Sequence, residues 1–268
     1  MKITSASNPR IKYILQLQKD SKYRKTESKF VVEGYREIYR ALVSGYTIDT
    51  LFICDEIIDG SKIEEIRKFE NRINNRMQIS RSVFNRIAYR NDVEGVFAIA
   101  ETKSHDINKL QLPENPLLLV AQSIEKPGNV GAILRTCDAV GVDAVILCDT
   151  VSDLYNPNTI RSSLGCVFSL PIAITSSKEA IKFLTDNKIR INSAIISDDT
   201  ISCYSVNYKN PSAIVVGSEA EGLSAEWSEY STNKIMIPMN GIADSLNVSV
   251  SAAVILFEAY RQRRFCTM

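Results

Sequence analysis

The sequence predicts an α/β protein in two parts, a smaller N-terminal α/β domain followed by an open parallel-sheet domain. Three observations carry this reading. Apolar runs of strand length alternate with segments of helical periodicity along the chain. One polar stretch with two prolines, Glu101 to Pro116 (ETKSHDINKLQLPENP), interrupts the alternation. Charge is also divided: residues 1–109 hold 20 basic and 15 acidic side chains, while the rest of the chain nets −4, although the whole is only +1. The boundaries drawn are therefore 1–106 for the first domain, 107–116 for a linker and 117–268 for the second. A chain of 268 residues is long enough for two cores.

In the first part, Asn8 to Asp20 reads as a helix: Ile11, Ile14, Leu15 and Leu17 make an apolar stripe that Arg10, Lys12 and Lys19 avoid. Strands are expected at Phe30 to Gly34 (FVVEG), Leu51 to Cys54 (LFIC) and Val96 to Ala100 (VFAIA). Helices are expected between them at Tyr35 to Ser44 and Ser61 to Asn71, the second opened by a capping box of Ser61 and Glu64. In the second part, LLLVAQ (Leu117 to Gln122), AVILC (Ala144 to Cys148), SAIIS (Ser193 to Ser197), AIVVG (Ala213 to Gly217) and KIMIP (Lys234 to Pro238) are continuous apolar runs. Such runs suit parallel strands covered on both faces. A capped helix at Ser176 to Leu184 and a long final helix from about Leu246 to Arg263 complete the alternation. Ligands of open parallel sheets bind beyond the carboxyl ends of the strands, which directs attention to the loops after Gln122, Gly217 and Pro238.

Composition excludes several classes of function. At 45% hydrophobic and 24% charged residues the chain is neither fibrous nor disordered. The N-terminus lacks the apolar core of a signal peptide and no stretch approaches a membrane span, so a cytoplasmic protein without a membrane partner is expected. Six cysteines (Cys54, Cys137, Cys148, Cys166, Cys203, Cys266) form no C-x-x-C pair and read as reduced core residues; no metal site is expected. The single histidine, His105, falls in the polar linker, which disfavours a Ser-His-Asp or Cys-His device. Neither G-x-G-x-x-G nor G-x-x-x-x-G-K-[ST] occurs, which disfavours a nucleotide-binding oxidoreductase.

Each of the three loops has an ordinary explanation when taken alone. In KPGNVGAILRTCDAVGV (Lys126 to Val142), Gly128 and Gly131 permit close backbone approach, Asn129 is a candidate helix cap, and Arg135 lies six residues further along the helix. VVGSEAEGLS (Val215 to Ser224) sets Glu219 and Glu221 between Gly217 and Gly222. In IPMNGIADSLNVSVSAA (Ile237 to Ala253), Ser245, Leu246 and Asn247 open a helix whose first backbone donors are free. Turn and capping chemistry would account for each of them.

Together, N-x-G-x-x-x-R at Asn129 to Arg135, G-x-E-x-x-G-L at Gly217 to Leu223 and I-P-M-x(6)-S-L-N-V-S at Ile237 to Ser249 resemble the three signature motifs of SpoU-type (TrmH-like) RNA 2′-O-ribose methyltransferases of the SPOUT superfamily. The likeness spans essentially Leu117 to Arg263 and includes RSSLGCVFSLPI (Arg161 to Ile172). The N-terminal stretches SASNPRIK and FVVEGYREI are similar to the ribosomal-protein-like substrate-binding domain of members acting on ribosomal RNA. This resemblance implies a C-terminal trefoil-knotted domain that binds S-adenosylmethionine, and a homodimer that completes the active site. It implies cofactor contacts at Gly217, Ile237 and Leu246, and active-site roles for Asn129, Arg135, Glu219, Ser245 and Asn247. Ribosomal RNA is favoured over transfer RNA as substrate. A non-catalytic RNA-binding or ribosome-assembly factor on the same fold is the alternative of a different class.

Arginine is too weak an acid to serve readily as a base, so Arg135 is expected to clamp phosphate and stabilise developing oxyanion character rather than to take the proton. From clustering of charge at the front of the chain, Arg10, Lys12, Lys22, Arg24, Lys25 and Lys29 are expected to contact RNA phosphates.

Overall fold

The computed structural model describes residues 2–89 and 94–265. The chain through Ser104 together with Asp153–Ser169 forms one compact unit; His105–Ser152 together with the residues from Leu170 onward forms the other. Cys266 and the extreme ends of the two expected domains lie outside the described residues.

The first unit runs β1 (Lys2–Ile3), α1 (Pro9–Lys19), α2 (Ser21–Glu27), β2 (Lys29–Glu33), α3 (Tyr35–Val43), β3 (Ile48–Ile53), α4 (Gly60–Arg67), β4 (Ile73–Ile79), α5 (Arg81–Ile87) and β5 (Val96–Glu101). Its sheet has the order β1-β4-β3-β5-β2, with β1, β4 and β3 parallel and β5 antiparallel to both of its neighbours. Asn8 caps α1 by accepting from the Arg10 N–H at 3.0 Å, and Pro9 begins the helix where no N–H is needed. The expected stripe is the buried one: Ile11, Ile14 and Leu17 pack with Val83, Phe84 and Ile87 of α5 against Phe52, Phe97 and Ile99 of the sheet.

Three local expectations for this unit need correction. The cap of α4 is Asp59, whose carboxylate accepts from both the N–H and the hydroxyl of Ser61 at 2.9 Å; the expected Ser61 and Glu64 box does not form, and Glu64 pairs with Arg67. That helix also stops at Arg67 rather than Asn71, where a short 3-10 turn, Glu70–Arg72, leads into β4. Strand β4 itself (INNRMQI) was not anticipated, because its exposed Asn74, Asn75, Arg76 and Gln78 hide the strand pattern.

The second unit begins with His105, whose carbonyl accepts from the Ile174 N–H at 2.8 Å, and with Ile107 buried in its core. It continues with β6 (Leu117–Gln122), α6 (Pro127–Val140) and β7 (Ala144–Cys148). After the first-unit helices α7 (Pro157–Ser162) and α8 (Cys166–Ser169) come β8 (Ile172–Thr175), α9 (Ser177–Asp186), β9 (Arg190–Ala194), β10 (Ile201–Ser202), β11 (Ser212–Val216), α10 (Ala225–Tyr230), β12 (Asn233–Met236) and α11 (Val248–Arg264). The sheet order is β10-β12-β9-β11-β6-β7-β8 and every pairing is parallel. Leu118, Val120, Ile146 and Val215 face α9 and α10 in a core closed by Trp227. Alternate strand residues such as Leu119 and Ile214 are equally buried on the other face, and α6 and α11 pack together.

Strand β9 lies three residues earlier than expected. Pairing of Arg190 to Ser193 with Ser212 to Val215 fixes its register, which buries Asn192 and Ser193 and leaves Ile196 beyond the sheet, exposed. Asn192 is tolerated because its amide donates to the Ala213 carbonyl at 3.3 Å and its oxygen accepts from Asn233 at 2.8 Å. Ser176 caps α9 as expected, and Glu179 completes a capping box with it. All five described cysteines are buried, and burial raises the Cys148 thiol to about 12.

Arg24 departs from the expected RNA-contact set. Its side chain is 3% exposed; Nε donates to Asp153 at 2.5 Å, and Nη1 donates to the carbonyls of Leu17 at 2.6 Å and Gln18 at 3.2 Å. Its charge is already matched and its donors are occupied, so it is a folding residue of the first unit. Replacing one partner of a buried ion pair strands the other, and Arg24→Met should cost about 3–5 kcal/mol in urea unfolding. Lys25→Met, at the neighbouring exposed position, should stay within about 0.5 kcal/mol of the parent.

Candidate active site

Three loops leave the carboxyl ends of β6, β11 and β12, and their polar side chains meet within the second unit. The first is short. Helix α6 starts at Pro127, and its flanking residue Lys126 supplies no side-chain cap. Asn129, expected as the cap, therefore sits inside the first turn, and its side-chain amide donates to Glu219 Oε1 instead.

The second loop is folded back on itself. A Cβ on Gly217 would lie 2.2 Å from the Gly222 carbonyl oxygen and 2.7 Å from the Leu223 nitrogen, so no side chain fits there. Gly222 turns at φ +68°, and its N–H donates to the Ser218 carbonyl at 3.0 Å. The Ser218 hydroxyl accepts from the Glu221 N–H at 3.1 Å. Glu219 is thereby presented at the tip, exposed except for its amide partners, while Glu221 takes no part in the cluster.

In the third loop Asn247 does two jobs. Its oxygen caps α11, accepting from the Ser249 N–H at 3.0 Å and the Ser249 hydroxyl at 2.6 Å. Its amide is left to donate to Glu219 Oε1 at 3.1 Å and, more weakly, to Asn129 Oδ1 at 3.4 Å. One carboxylate oxygen thus holds two amides from separate motifs.

The residues just before Asn247 line a cavity of about 140 Å³, walled by Ile235, Ile237, Met239, Ser245, Leu246 and Ile255. Among the described residues, no backbone N–H from Met239 to Leu246 donates to another group of the chain. Apolar walls with free backbone donors suit a flat heterocycle, which needs stacking surface and a few edge hydrogen bonds. Ile237 and Leu246 line this cavity, as does Ser245; Gly217 does not, its part being the fold of the neighbouring loop.

Arg135 is not brought to the cluster. Six residues along α6 from Asn129 correspond to about 9 Å of rise and about 240° of rotation. It is exposed, and it forms no ion pair with Glu219 or with any other described residue. Its guanidinium is available to a group from outside this unit.

A supporting network that the sequence did not disclose lies beneath the loops. Gln122, at the end of β6, accepts from the Ser224 N–H at 2.9 Å and donates to Asp149, Ser177 and Ser224 at 3.0 to 3.1 Å. Ser177 donates to Asp149 at 2.6 Å and accepts from the Trp227 indole at 3.0 Å. Burial opposes ionisation of Asp149, but hydrogen bonds from Ser177 and Gln122 outweigh it and hold the carboxyl below its ordinary range. Only the strand-end position of Gln122 could have signalled this role.

Of the expected RNA contacts in the first unit, Lys12, Lys22 and Lys25 are exposed on α1 and α2. Arg10 is exposed with Nη1 2.6 Å from Met77 Sδ, and Lys29 is paired with Asp49 at 2.6 Å. Among the described residues there is no group of three or more His, Cys, Asp or Glu that could hold a metal, and no helix long and apolar enough to cross a membrane.

Comparison with known proteins finds relatives of both parts of the chain. Residues 8–98 match the MRM3-like substrate binding domain, and residues 116–257 match the SpoU rRNA Methylase family. The chain is 28% identical over 251 residues to a 23S rRNA (uridine(2479)-2′-O)-methyltransferase of Streptomyces viridochromogenes, covering 90% of this chain and 85% of the relative. It is 36% identical over 148 residues to a tRNA (guanosine(18)-2′-O)-methyltransferase of Thermus thermophilus, covering 55% of this chain and 75% of the relative. A crystal structure of an RNA 2′-O ribose methyltransferase superposes with a TM-score of 0.83 at 36% identity, covering 98% of this chain and 99% of that one. An AdoMet-bound rRNA methyltransferase from Sinorhizobium meliloti superposes at 0.89 with 27% identity, covering 97% of each. With more than half of its length matched and its three motif loops converging on one cluster, the chain belongs to the SpoU rRNA methylase family.

Proposed function

We propose that this protein methylates a ribose 2′-hydroxyl of large-subunit ribosomal RNA, with S-adenosylmethionine as donor, and that it works as a trefoil-knotted homodimer. The observation that carries the proposal is the meeting of Asn129, Glu219 and Asn247, one residue from each motif loop, next to the cavity lined by Ile237 and Leu246. Ribosomal RNA is favoured because the Streptomyces enzyme matches the chain across both units, whereas the Thermus tRNA enzyme matches little more than half of it. Dimerisation is supported by α11, which exposes Val250 and Phe257, two turns apart on one face, at 46% and 50%.

The apolar walls of this cavity and the free backbone donors of the Met239 to Leu246 segment fit the adenosine part of the donor. When bound, S-adenosylmethionine supplies a methyl group already activated on a sulfonium, so the protein's work is alignment and charge stabilisation. Glu219 fixes the Asn129 and Asn247 amides against one another, which holds the first and third loops in register. Ser245 shapes the loop beside Leu246. Arg135, whose side chain has no partner among the described residues, clamps an RNA phosphate and stabilises negative charge building on the ribose oxygen, while the proton leaves to water or a nearby group. The exposed Lys12, Lys22 and Lys25, together with Arg10 and Lys29, give the substrate-binding unit its phosphate contacts.

Tritiated-methyl transfer from S-adenosylmethionine to RNA from cells lacking this protein, with mapping of the labelled nucleotide, tests the activity and the RNA class together. Label confined to transfer RNA would overturn the choice of substrate. Arg135→Lys keeps the charge but loses the planar fork, and turnover should fall by roughly a hundredfold with donor affinity nearly intact. Gly217→Ala should displace the Glu219 loop and lower turnover by a similar factor, about a hundredfold for a misplacement of about 1 Å. Leu246→Arg should abolish donor binding in calorimetry while leaving RNA binding unchanged. Replacing Lys22 and Lys25 together should reduce the slope of log affinity against log salt by about two units, about one per phosphate contact; an unchanged slope would move the RNA path elsewhere.

A further inference from the structure

We propose that the first unit carries a pocket that takes a guanine base of the RNA substrate, read by Glu37 and stacked at the Tyr89 and Arg161 pair. The proposal deepens the RNA-methyltransferase reading, since the occupant is a base of that substrate. A cavity of about 240 Å³ opens in this unit, with an apolar floor of Val31, Pro157, Ile160 and Leu164. It is smaller than the sites that hold drug-sized molecules, a size suited to one base.

The chemistry of its rim narrows the choice. Glu33 accepts from the Tyr89 N–H, and Glu94 is engaged by the Tyr35 N–H and by Lys62, so two of the three carboxylates are spent on the protein. Glu37 is not. Apart from its own backbone N–H, its half-buried carboxylate accepts no hydrogen bond from any described residue. Its seat depends on Gly34, which turns at φ +97° and where a Cβ would come within 2.8 Å of Glu37 Oε2. Burial holds the Glu37 carboxyl above its ordinary range, as expected of a desolvated group with few donors around it.

Among the same lining residues, the Arg161 guanidinium lies 5.0 Å from the Tyr89 ring centre and is kept in place by a 2.9 Å hydrogen bond to Asn158. Tyr89 is 62% exposed. Unpaired RNA bases are held in this manner, stacked on aromatic rings or guanidinium planes and read along their edges. The side-chain amide nitrogen of Gln18 is committed to the Ile87 carbonyl at 2.8 Å, leaving its oxygen as a further acceptor. Glu37 and the Gln18 oxygen, as open acceptors, call for a base with neighbouring donors. Guanine alone offers two adjacent donors, N1–H and the N2 amino group, that match both oxygens of one carboxylate. Its O6 and N7 acceptors suit the exposed Arg36.

The test measures binding of guanosine, inosine and adenosine 5′-monophosphates to the full chain by ligand-observed NMR, with S-adenosylhomocysteine present to occupy the donor pocket. Guanosine monophosphate should bind about tenfold more tightly than inosine monophosphate, which lacks the N2 amino group, and adenosine monophosphate should be weakest. Glu37→Gln, close to isosteric, should erase the preference for guanine. Tyr89→Ala, at an exposed side chain, should weaken all three nucleotides. Equal binding of the three, or a guanine preference that survives Glu37→Gln, would overturn the proposal. Methyl transfer is not part of the readout, so a chain that prefers guanine but transfers no methyl group would keep the pocket and lose the enzymatic reading.

Discussion

The close approach of Gly217 to Gly222 is the constraint on which the active site depends. With the Gly222 oxygen 2.2 Å from where a side chain would begin, the loop after β11 can close only if residue 217 has no Cβ. Closure puts Glu219 at the tip, and that carboxylate is the one acceptor shared by Asn129 and Asn247. Asn129 lies in the first turn of α6 and Asn247 caps α11, and the two helices pack together. A steric fact at one backbone position therefore sets the spacing of helix ends contributed by sequence segments more than 100 residues apart.

The layer beneath follows a second rule, that buried polar groups must be satisfied. Gln122 uses both ends of its amide, Asp149 receives Ser177 and Gln122, and the Ser177 hydroxyl also takes the indole of Trp227. The strand ends of β6 and β7 and the helix starts of α9 and α10 are tied to one another through polar side chains rather than apolar packing. Such a network has little freedom to adjust, which suits a platform for loops that must hold their geometry.

Much of this was legible because apolar periodicity and glycine spacing are direct imprints of physics. The strands of the second unit appear as runs such as LLLVAQ and AVILC since both of their faces are covered, and the stripe of α1 appears since one of its faces is. What escaped has equally definite causes. Strand β4 is partly solvent-facing and reads as polar. Strand β9 takes its register from β11, a partner distant in sequence. Ser61 and Glu64 have the spacing of a capping box, but Asp59 stands two residues earlier with a better acceptor and takes the position. Arg24 looks like its basic neighbours in sequence, and only a carboxylate 129 residues away makes it a buried structural cation. The motif residues were identifiable by resemblance, yet their division into a hydrogen-bonded trio, a cavity wall and an isolated arginine required coordinates.

The assignment of Asp153–Ser169 to the first unit has a consequence for how this chain is made. Tyr155 stacks on Phe30 with ring centres 4.1 Å apart, Phe168 flanks the same ring, and Asp153 neutralises Arg24. A nascent chain that has emerged only as far as Ser104 lacks all of these partners, leaving an aromatic surface open and a cation unmatched. By the time Ser169 emerges, β6, α6 and β7 of the second unit have already been synthesised. Ribosomes add about 5–20 residues per second and domains generally fold as units, N-terminal first. Here that order is interleaved, with the first core waiting for several seconds on sequence made after the second has begun. Chain vectoriality thus creates an interval of exposure that a strictly sequential pair of domains would not have, and in it chaperone capture or mispairing would compete with folding.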